Sequence, residues 1–386
     1  MDQKISILQP SLLREAVSSQ NQITDLANEF PMGGYVNTHP SQNLKCRLPP
    51  KIYHTEAEMN FFLGKSPQTF DLNYHFDSSW LASLPYSSLI GNNFIVISGQ
   101  NKVIKETYSG DSILQQDGRF LKRKLKVDLE GKPHELPFVL FRSRQEPRFI
   151  KKPCLLPVHY WHFNYHHWLI ECLPRFQPAL DLPELADCPI IVPQTLSPWQ
   201  RESLKLMGIP SSRLMPFDGQ DWRLKNLYFP SIGDFSPHQI NWVRGKLLKG
   251  LEGYNKETGG LFYISRSDAN HRKVVNEEEV ADFLENLGFQ VLTLTGMPLS
   301  EQLELFASAK VVIGPHGAGL TNMLVAPAKS TLVELMPDDE VNHCFWLLTN
   351  ALKQDYTFVV GKKISPDRDF EIPIRGLEKV LKGVDF

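Results

Sequence analysis

Two places in the chain carry residue types whose spacing could do chemistry. In NYHHWLIECLPR, His167 and Glu171 stand four apart, so on a helix they share one face. Such a pair can take the proton of a hydroxyl as it attacks an electrophile. A structural His–Glu pair in an aromatic-rich core has the same spacing, and both readings stay open at this level. Far downstream, VVIGPHGAGLTNMLVAP (311–327) ends an apolar run in Gly314, Gly317 and Gly319, arranged around His316. Glycines at a strand end let a ligand approach backbone N–H groups, and a helix start just beyond favours an anion, most often phosphate. His316 could donate to a phosphate or carbonyl oxygen. The alternative is a tight strand-to-helix turn with no ligand.

More charge gathers around that loop. Arg266 directly follows the apolar run LFYIS, and Arg272 and Lys273 close the loop after it. Arginine forks onto phosphate oxygens, which suits a diphosphate; for Arg272 and Lys273 an exposed loop charge is the other reading. Glu334 ends the run TLVE, 20 residues after Gly314. There it could accept from ribose hydroxyls, as acids do in dinucleotide folds, or it could be an exposed acid at a strand end. The glycines read GxxGxG and not GxGxxG, so the dinucleotide fingerprint is in the wrong order.

Alternating elements must position these residues. PIIVP, LKNLYFP, LFYIS, FQVLTL, KVVIG and TLVEL read as buried strands. Helices are expected at SPWQRESLKLMG, after Pro237, at NEEEVADFLENLG with Asn276 and Glu279 in a capping box, at SEQLELFASA capped by Ser300, and from GAGLTNMLVA. Strands alternating with helices imply an α/β, doubly wound sheet with ligands at the carboxyl ends of its strands. Residues 1–50 read as an irregular leader with early helical character, and 89–150 as a β-rich segment. The division expected is an N-terminal domain over 1–235 and a C-terminal Rossmann-like domain over 236–386.

The whole chain sets wider limits. Its 386 residues suit two domains. A balance of 41 basic and 43 acidic residues gives no reason to expect nucleic acid. Five scattered cysteines without CxxC read as reduced thiols. No signal-peptide core and no run of 18 apolar residues occurs, so a soluble, cytoplasmic protein is expected. His159, His162, His166 and His167 crowd into nine positions, but HExxH is missing, and no essential metal is expected.

The runs NYHHWLIECLPR, YISRSDANHRKVVNEEEV, GFQVLTLTGMPLSEQLELFASAKVVIGPHGAGLTNMLVAP and TLVELMP occur in this order over roughly 158–337. Together they resemble glycosyltransferase family 61. The resemblance implies a GT-B arrangement, two Rossmann-like domains with a cleft between them. It implies inverting transfer from a nucleotide sugar, usually a UDP-sugar, to a saccharide hydroxyl. Metal independence is implied too, with helix dipoles and cations balancing the diphosphate. Bacterial members serve capsule and surface polysaccharide synthesis, which implies work at the inner face of the membrane on a lipid-linked acceptor; an oligomer is compatible with it. By resemblance Arg266 and Arg272 hold the diphosphate, and His316, Gly317, Ala318 and Gly319 form the HGAG loop beside the nucleotide. Glu334 touches ribose or base, and Asn164, His167 and Glu171 fall on an NxxHxxxE pattern, with His167 or Glu171 as base. The rival readings are an NAD(P)-dependent oxidoreductase and a non-catalytic carbohydrate- or nucleotide-binding scaffold of the same fold.

Overall fold

The computed structural model describes residues 3–8, 34–64, 71–99, 102–104, 107, 120–122, 138–140, 146–251 and 259–386. The fold is mixed α/β. Contacts divide the chain into two units: 1–41, 77–197 and 209–233 form the first, and 42–76, 198–208 and 234–386 the second. The sequence reading divides the chain once, whereas the second unit also takes in two earlier segments.

In the first unit, strands β1 (Ser79–Ile90), β2 (Cys154–Leu155), β3 (Ile190–Pro193), β4 (Leu214–Phe217) and β5 (Trp222–Pro230) lie in the order β4-β3-β2-β5-β1. The pairs β2–β3, β3–β4 and β2–β5 are parallel, and β5–β1 is antiparallel over eight matched residue pairs. The sheet continues past β1 through Ile95–Ile97, Lys102–Ile104, Gln3–Leu8, Phe138–Leu140 and Phe120–Lys122. The β-rich segment is therefore part of the first unit's own sheet, and only one half of that sheet is Rossmann-like. Two further expectations change. Residues 3–8 are a strand and not helical: Ile5 and Ile7 alternate with Lys4 and Ser6, and isoleucine favours strands. Gly34–His39 and Gln42–Lys45, expected to be irregular, are strands as well. Residues 9–33 lie outside the described set.

The second unit is built on β6 (Gly260–Ile264), β7 (Gln290–Leu292), β8 (Ala309–Pro315), β9 (Thr331–Pro337), β10 (Asp355–Lys363) and β11 (Phe370–Glu371), in the order β7-β6-β8-β9-β10-β11. All neighbours are parallel except β10–β11. The helices are α1 (Glu56–Leu63), α2 (Pro198–Leu206), α3 (Pro237–Gly250), α4 (Glu277–Glu285), α5 (Leu299–Ser308), α6 (Cys344–Ala351) and α7 (Ile374–Leu381). β8 and β9 are buried on both faces, as apolar runs in parallel sheets are. Val311, Ile313, Val333 and Leu335 join Val280 and Leu284 of α4 and Leu377 of α7 in one core. Because β7 lies on one side of β6 and β8 on the other, the strand order reverses between β6 and β8. That reversal is where doubly wound sheets open a crevice for ligand.

Two helix starts differ from the sequence expectation. Asn276 does begin α4 but does not cap it. Its side chain accepts from Ile372 N–H (2.9 Å) and donates to Glu279 (2.9 Å) and to the Ile372 carbonyl (2.9 Å), because a neighbouring chain segment competes for it. Ser300 lies inside α5, and the cap is supplied by another element: Glu202 of α2 accepts from Leu299 N–H (2.8 Å) and Ser300 N–H (3.1 Å). No helix among the described residues is long and apolar enough to cross a membrane.

Candidate active site

In the first unit, the segment 160–181 is a chain of short helical turns of changing pitch. A 3-10 turn (Tyr160–Phe163) leads to one α turn (Tyr165–His167), a π turn (Trp168–Cys172) and another 3-10 turn (Leu173–Phe176). Asn164 begins the α turn, its Oδ1 accepting from His166 N–H (2.9 Å) and His167 N–H (3.3 Å). That oxygen is spent on capping, which leaves the Nδ2 amide as the group that could meet a ligand. The π turn is a frequent companion of functional sites. Its Glu171 carbonyl accepts from Gly233 N–H at 3.2 Å. A Cβ on Gly233 would stand 2.7 Å from the carbonyl oxygens of both Ile170 and Glu171, so the position needs glycine.

This turn brings His167 and Glu171 together: Nδ1 of His167 lies 2.8 Å from one carboxylate oxygen. The other oxygen lies 3.1 Å from Nε2 of His159, a partner that the spacing argument missed. Trp161 stacks on the His167 ring, with centroids 5.5 Å apart. Burial alone would raise the Glu171 pKa, but hydrogen bonds from the two histidines outweigh it and push it down to about 2. Burial, the largest effect on His159, holds its pKa below the usual histidine value. His159 shows no helix-period relation to Glu171, and only its place among the four clustered histidines could have drawn notice.

In the second unit, the carboxyl ends of β6 and β8 carry the other candidates. Arg266 follows β6 after Ser265, and His316 follows β8. A Cβ on Gly317 would land on Nη1 of Arg266. The space that Gly317 leaves bare is thus filled by the guanidinium. Its backbone is extended, so glycine is required for room and not for conformation. Arg266 Nη2 donates to the His271 carbonyl (3.0 Å), and its Nε is buried without a hydrogen-bond partner among the described residues. Desolvation and the nearby Arg272 charge both lower the Arg266 pKa. Arg272 takes a left-handed backbone (φ +58°), with its N–H bonded to the Asp367 carbonyl (3.1 Å). The Arg266 guanidinium, its charge disfavoured by burial and by Arg272, thus sits at a strand-order reversal, where an anion would relieve it.

Glu334 is not the exposed acid at a strand end that the sequence allowed. It is fully buried, and one carboxylate oxygen bonds Nδ1 of His316 while the other accepts from the Tyr356 hydroxyl at 2.6 Å. Both of its oxygens are thus taken by neighbouring side chains. It orients His316, whose ring also packs against Phe345 with centroids 5.1 Å apart. Tyr356, on β10, is a functional neighbour that no motif announced; burial first and the Glu334 charge second hold its pKa well above the usual tyrosine value. Ala318 and Gly319 open a 3-10 helix (Ala318–Val325), where an α-helix was expected. Every residue from Leu320 to Val325 is buried, so packing on all sides favours the narrower helix. Gly319 meets Leu294, whose Cδ1 would lie 2.8 Å from an added Cβ.

A cavity of about 400 Å³ in the same unit is lined by Lys310, Thr331 and Asp355 at the amino ends of β8, β9 and β10. Ligands of such sheets bind at the opposite edge, and four of the cavity's charged groups pair off, Arg47 with Asp355 (3.2 Å) and Lys310 with Asp385 (3.6 Å). Among the described residues no group of three or more His, Cys, Asp or Glu is placed to hold a metal ion.

A doubly wound unit with paired arginines at its strand-order reversal has the architecture of phosphate- and nucleotide-binding proteins. Residues 165–333 match the family model of glycosyltransferase 61. His167, Glu171, Arg266, Arg272, His316 and Gly317–Gly319 fall inside the match, whereas Asn164 and Glu334 fall one residue outside. The chain is similar to a β-1,2-xylosyltransferase, XAX1, of Oryza sativa subsp. japonica, 38% identical over 95 residues, which is 24% of this chain and 16% of the relative. An α-1,3-arabinosyltransferase, XAT3, of the same organism is 36% identical over 117 residues, 28% of this chain and 19% of the relative. The EGF domain-specific O-linked N-acetylglucosamine transferase of Drosophila melanogaster is 32% identical over 85 residues, 21% of this chain and 16% of the relative. The matched stretches thus span less than a fifth of the length of these curated relatives.

Proposed function

We propose that the protein is an inverting glycosyltransferase of the GT-B type that moves a sugar from a nucleotide-sugar donor, a UDP-sugar, to a saccharide hydroxyl. One observation carries the reading: the half-buried Arg266 guanidinium lies in the space of Gly317, at the carboxyl ends of β6 and β8. A diphosphate supplies the missing negative charge, and arginine takes two of its oxygens at once. His316, held by Glu334, stands on the same loop and can donate to the leaving phosphate. The pair His167–Glu171 takes the proton of the acceptor hydroxyl as it attacks the anomeric carbon, which is what an inverting displacement requires. The relatives are named for transferring xylose, arabinose and N-acetylglucosamine, so the sugar is left to contacts outside these motifs. The setting proposed is surface polysaccharide or glycan synthesis, with a lipid-linked acceptor at the membrane's inner face, no nucleic-acid partner and no essential metal.

The test is a thermal-shift panel of UDP, GDP, CMP, dTDP and NAD, without metal and then with Mn²⁺. A ligand that binds only the folded state raises the melting temperature by mass action, about 2.7 kcal/mol at a hundred times its Kd. UDP is expected to raise it without metal, and the Arg266→Ala protein is expected to lose the rise. A rise with NAD alone would sink the reading and leave the oxidoreductase standing. A UDP shift that needs Mn²⁺ would remove the metal-independent part of it.

A further inference from the structure

The first unit holds three groups where the proposed reaction asks for one base, and their hydrogen bonds divide the labour. We infer that His159 is a positioning residue: it locks the Glu171 carboxylate, and through it fixes His167 in the tautomer whose Nε2 accepts the proton. The use made of His167 rests on the glycosyltransferase reading, but the locked state of the three groups does not.

The argument starts at Trp161. Its backbone N–H donates to Nδ1 of His159 at 3.3 Å, so in the neutral ring Nδ1 is the acceptor and the proton sits on Nε2. That Nε2 is buried without another partner among the described residues and lies 3.1 Å from Glu171 Oε2, the acceptor its proton faces. A neutral ring suits the site, because His159 is only 7% exposed, and burial disfavours its cation. The other carboxylate oxygen faces Nδ1 of His167 at 2.8 Å. A carboxylate can only accept, so His167 carries its proton on Nδ1, and Nε2 is left as the basic nitrogen. Each Glu171 oxygen is then faced by one imidazole N–H. A carboxylate so held is ionised at neutral pH and is a weaker base than the imidazole, so by this inference the proton goes to His167 Nε2. The logic is that of a serine-hydrolase triad, in which a buried acid orients the imidazole without taking its proton, with a second histidine added behind the acid.

The groups that face Glu171 are His159 and His167, and Arg175 acts on His159 from the next helical turn. Arg175 is itself tied down, donating to the carbonyls of Leu156 (3.3 Å) and Pro230 (3.0 Å) with its guanidinium over the Phe229 ring. The arrangement is therefore built into the fold of this unit and does not wait for a ligand.

Long-range ¹H–¹⁵N spectra of the full chain carrying ¹⁵N-histidine read tautomers directly, with the rings assigned from His159→Gln and His167→Gln. At pH 6 to 8 the His159 signals are expected to be those of a neutral ring protonated on Nε2, and the neutral form of His167 to be protonated on Nδ1. The reverse tautomer on either ring would overturn the inference. His159→Phe removes the donor and is expected to turn His167 into a tautomer mixture. His159→Gln, whose amide can donate to Glu171 and accept from Trp161, is expected to retain the single form. An unchanged His167 spectrum in His159→Phe would remove the positioning role; should that variant not fold, the wild-type and Gln spectra still decide. Transfer from a nucleotide sugar is scored separately: no transfer, with the expected tautomers present, would fail the proposed function alone.

Discussion

Tyr356 decides how firmly His316 is held. Its hydroxyl takes one oxygen of Glu334 and leaves the other to the imidazole. Hydrogen bonds to charged groups contribute about 1.5–3 kcal/mol, so Tyr356→Phe is expected to cost about that much in urea unfolding. It should also weaken the UDP-dependent thermal shift, since the freed carboxylate no longer fixes the ring. Gly317→Ala makes a sharper test of Arg266. The new methyl lands on the guanidinium, so the variant should lose the nucleotide shift as fully as Arg266→Ala does, with near-native stability. The sequence made half of this visible. Arg266 and His316 follow apolar runs that can only be strands, so their carboxyl-edge location was legible. The burial of Glu334 was not legible, because its place after such a run says nothing about burial, and its partner Tyr356 comes from the next strand, 22 residues on. His159 was hidden for the same reason: Glu171 meets it through a turn of changing pitch and not through a helical repeat.

At the level of elements, two joints carry more than their length suggests. Glu202 of α2 accepts three bonds at the start of α5, from Leu299 N–H, Ser300 N–H and the Ser300 hydroxyl (2.6 Å). Lost N-caps cost about 0.5–2 kcal/mol, and Glu202→Ala is expected to fall in that range by denaturant unfolding, with α5 amides exchanging faster than those of α4. Gly233 is the second joint. Gly233→Ala would press a methyl against two carbonyl oxygens of the π turn, so the turn must shift. The expected sign is a lower melting temperature together with loss of the single His167 tautomer, because Glu171 moves with its backbone. The strands of the second unit were readable because buried parallel strands are written as continuous apolar runs. The caps were not, since Asn276 and Glu202 bond across the fold and local spacing cannot name such partners. The 3-10 pitch after His316 was equally hidden, being set by packing on all sides.

For the molecule as a whole, acid should act on both units. His54 packs on Phe358 (centroids 4.2 Å) and lies 3.0 Å from Thr357 Oγ1; burial, more than the opposing Glu58 and Lys379 charges, brings its pKa to about 4. His162 in the first unit is likewise lowered to about 4 by burial, with the His159 charge adding to it. Both fold as neutral rings while the unfolded chain takes up protons near pH 6.5. Stability is therefore full above that pH and is lost as pH falls from about 6.5 toward 4. Glu171 extends the loss: its stabilising charge is complete above about pH 4.5 and disappears toward 2. Melting temperatures from pH 8 to 4 should fall below pH 6.5, and His54→Gln should flatten part of that slope.

The interleaving of the two units has a practical consequence. The chain passes between them five times, at 41/42, 76/77, 197/198, 208/209 and 233/234. A gene fragment beginning at 236 would encode every strand of the second sheet and all of Arg266, His316 and Glu334, yet omit α1 and α2. Phe62 would no longer stack on Phe358 (4.8 Å), its carbonyl would be lost to His343 (2.7 Å), and α5 would start uncapped. Expressed alone, such a piece should be insoluble or collapse without fixed packing, and exchanging it between relatives as a donor-binding cassette should fail unless residues 42–76 and 198–208 travel with it.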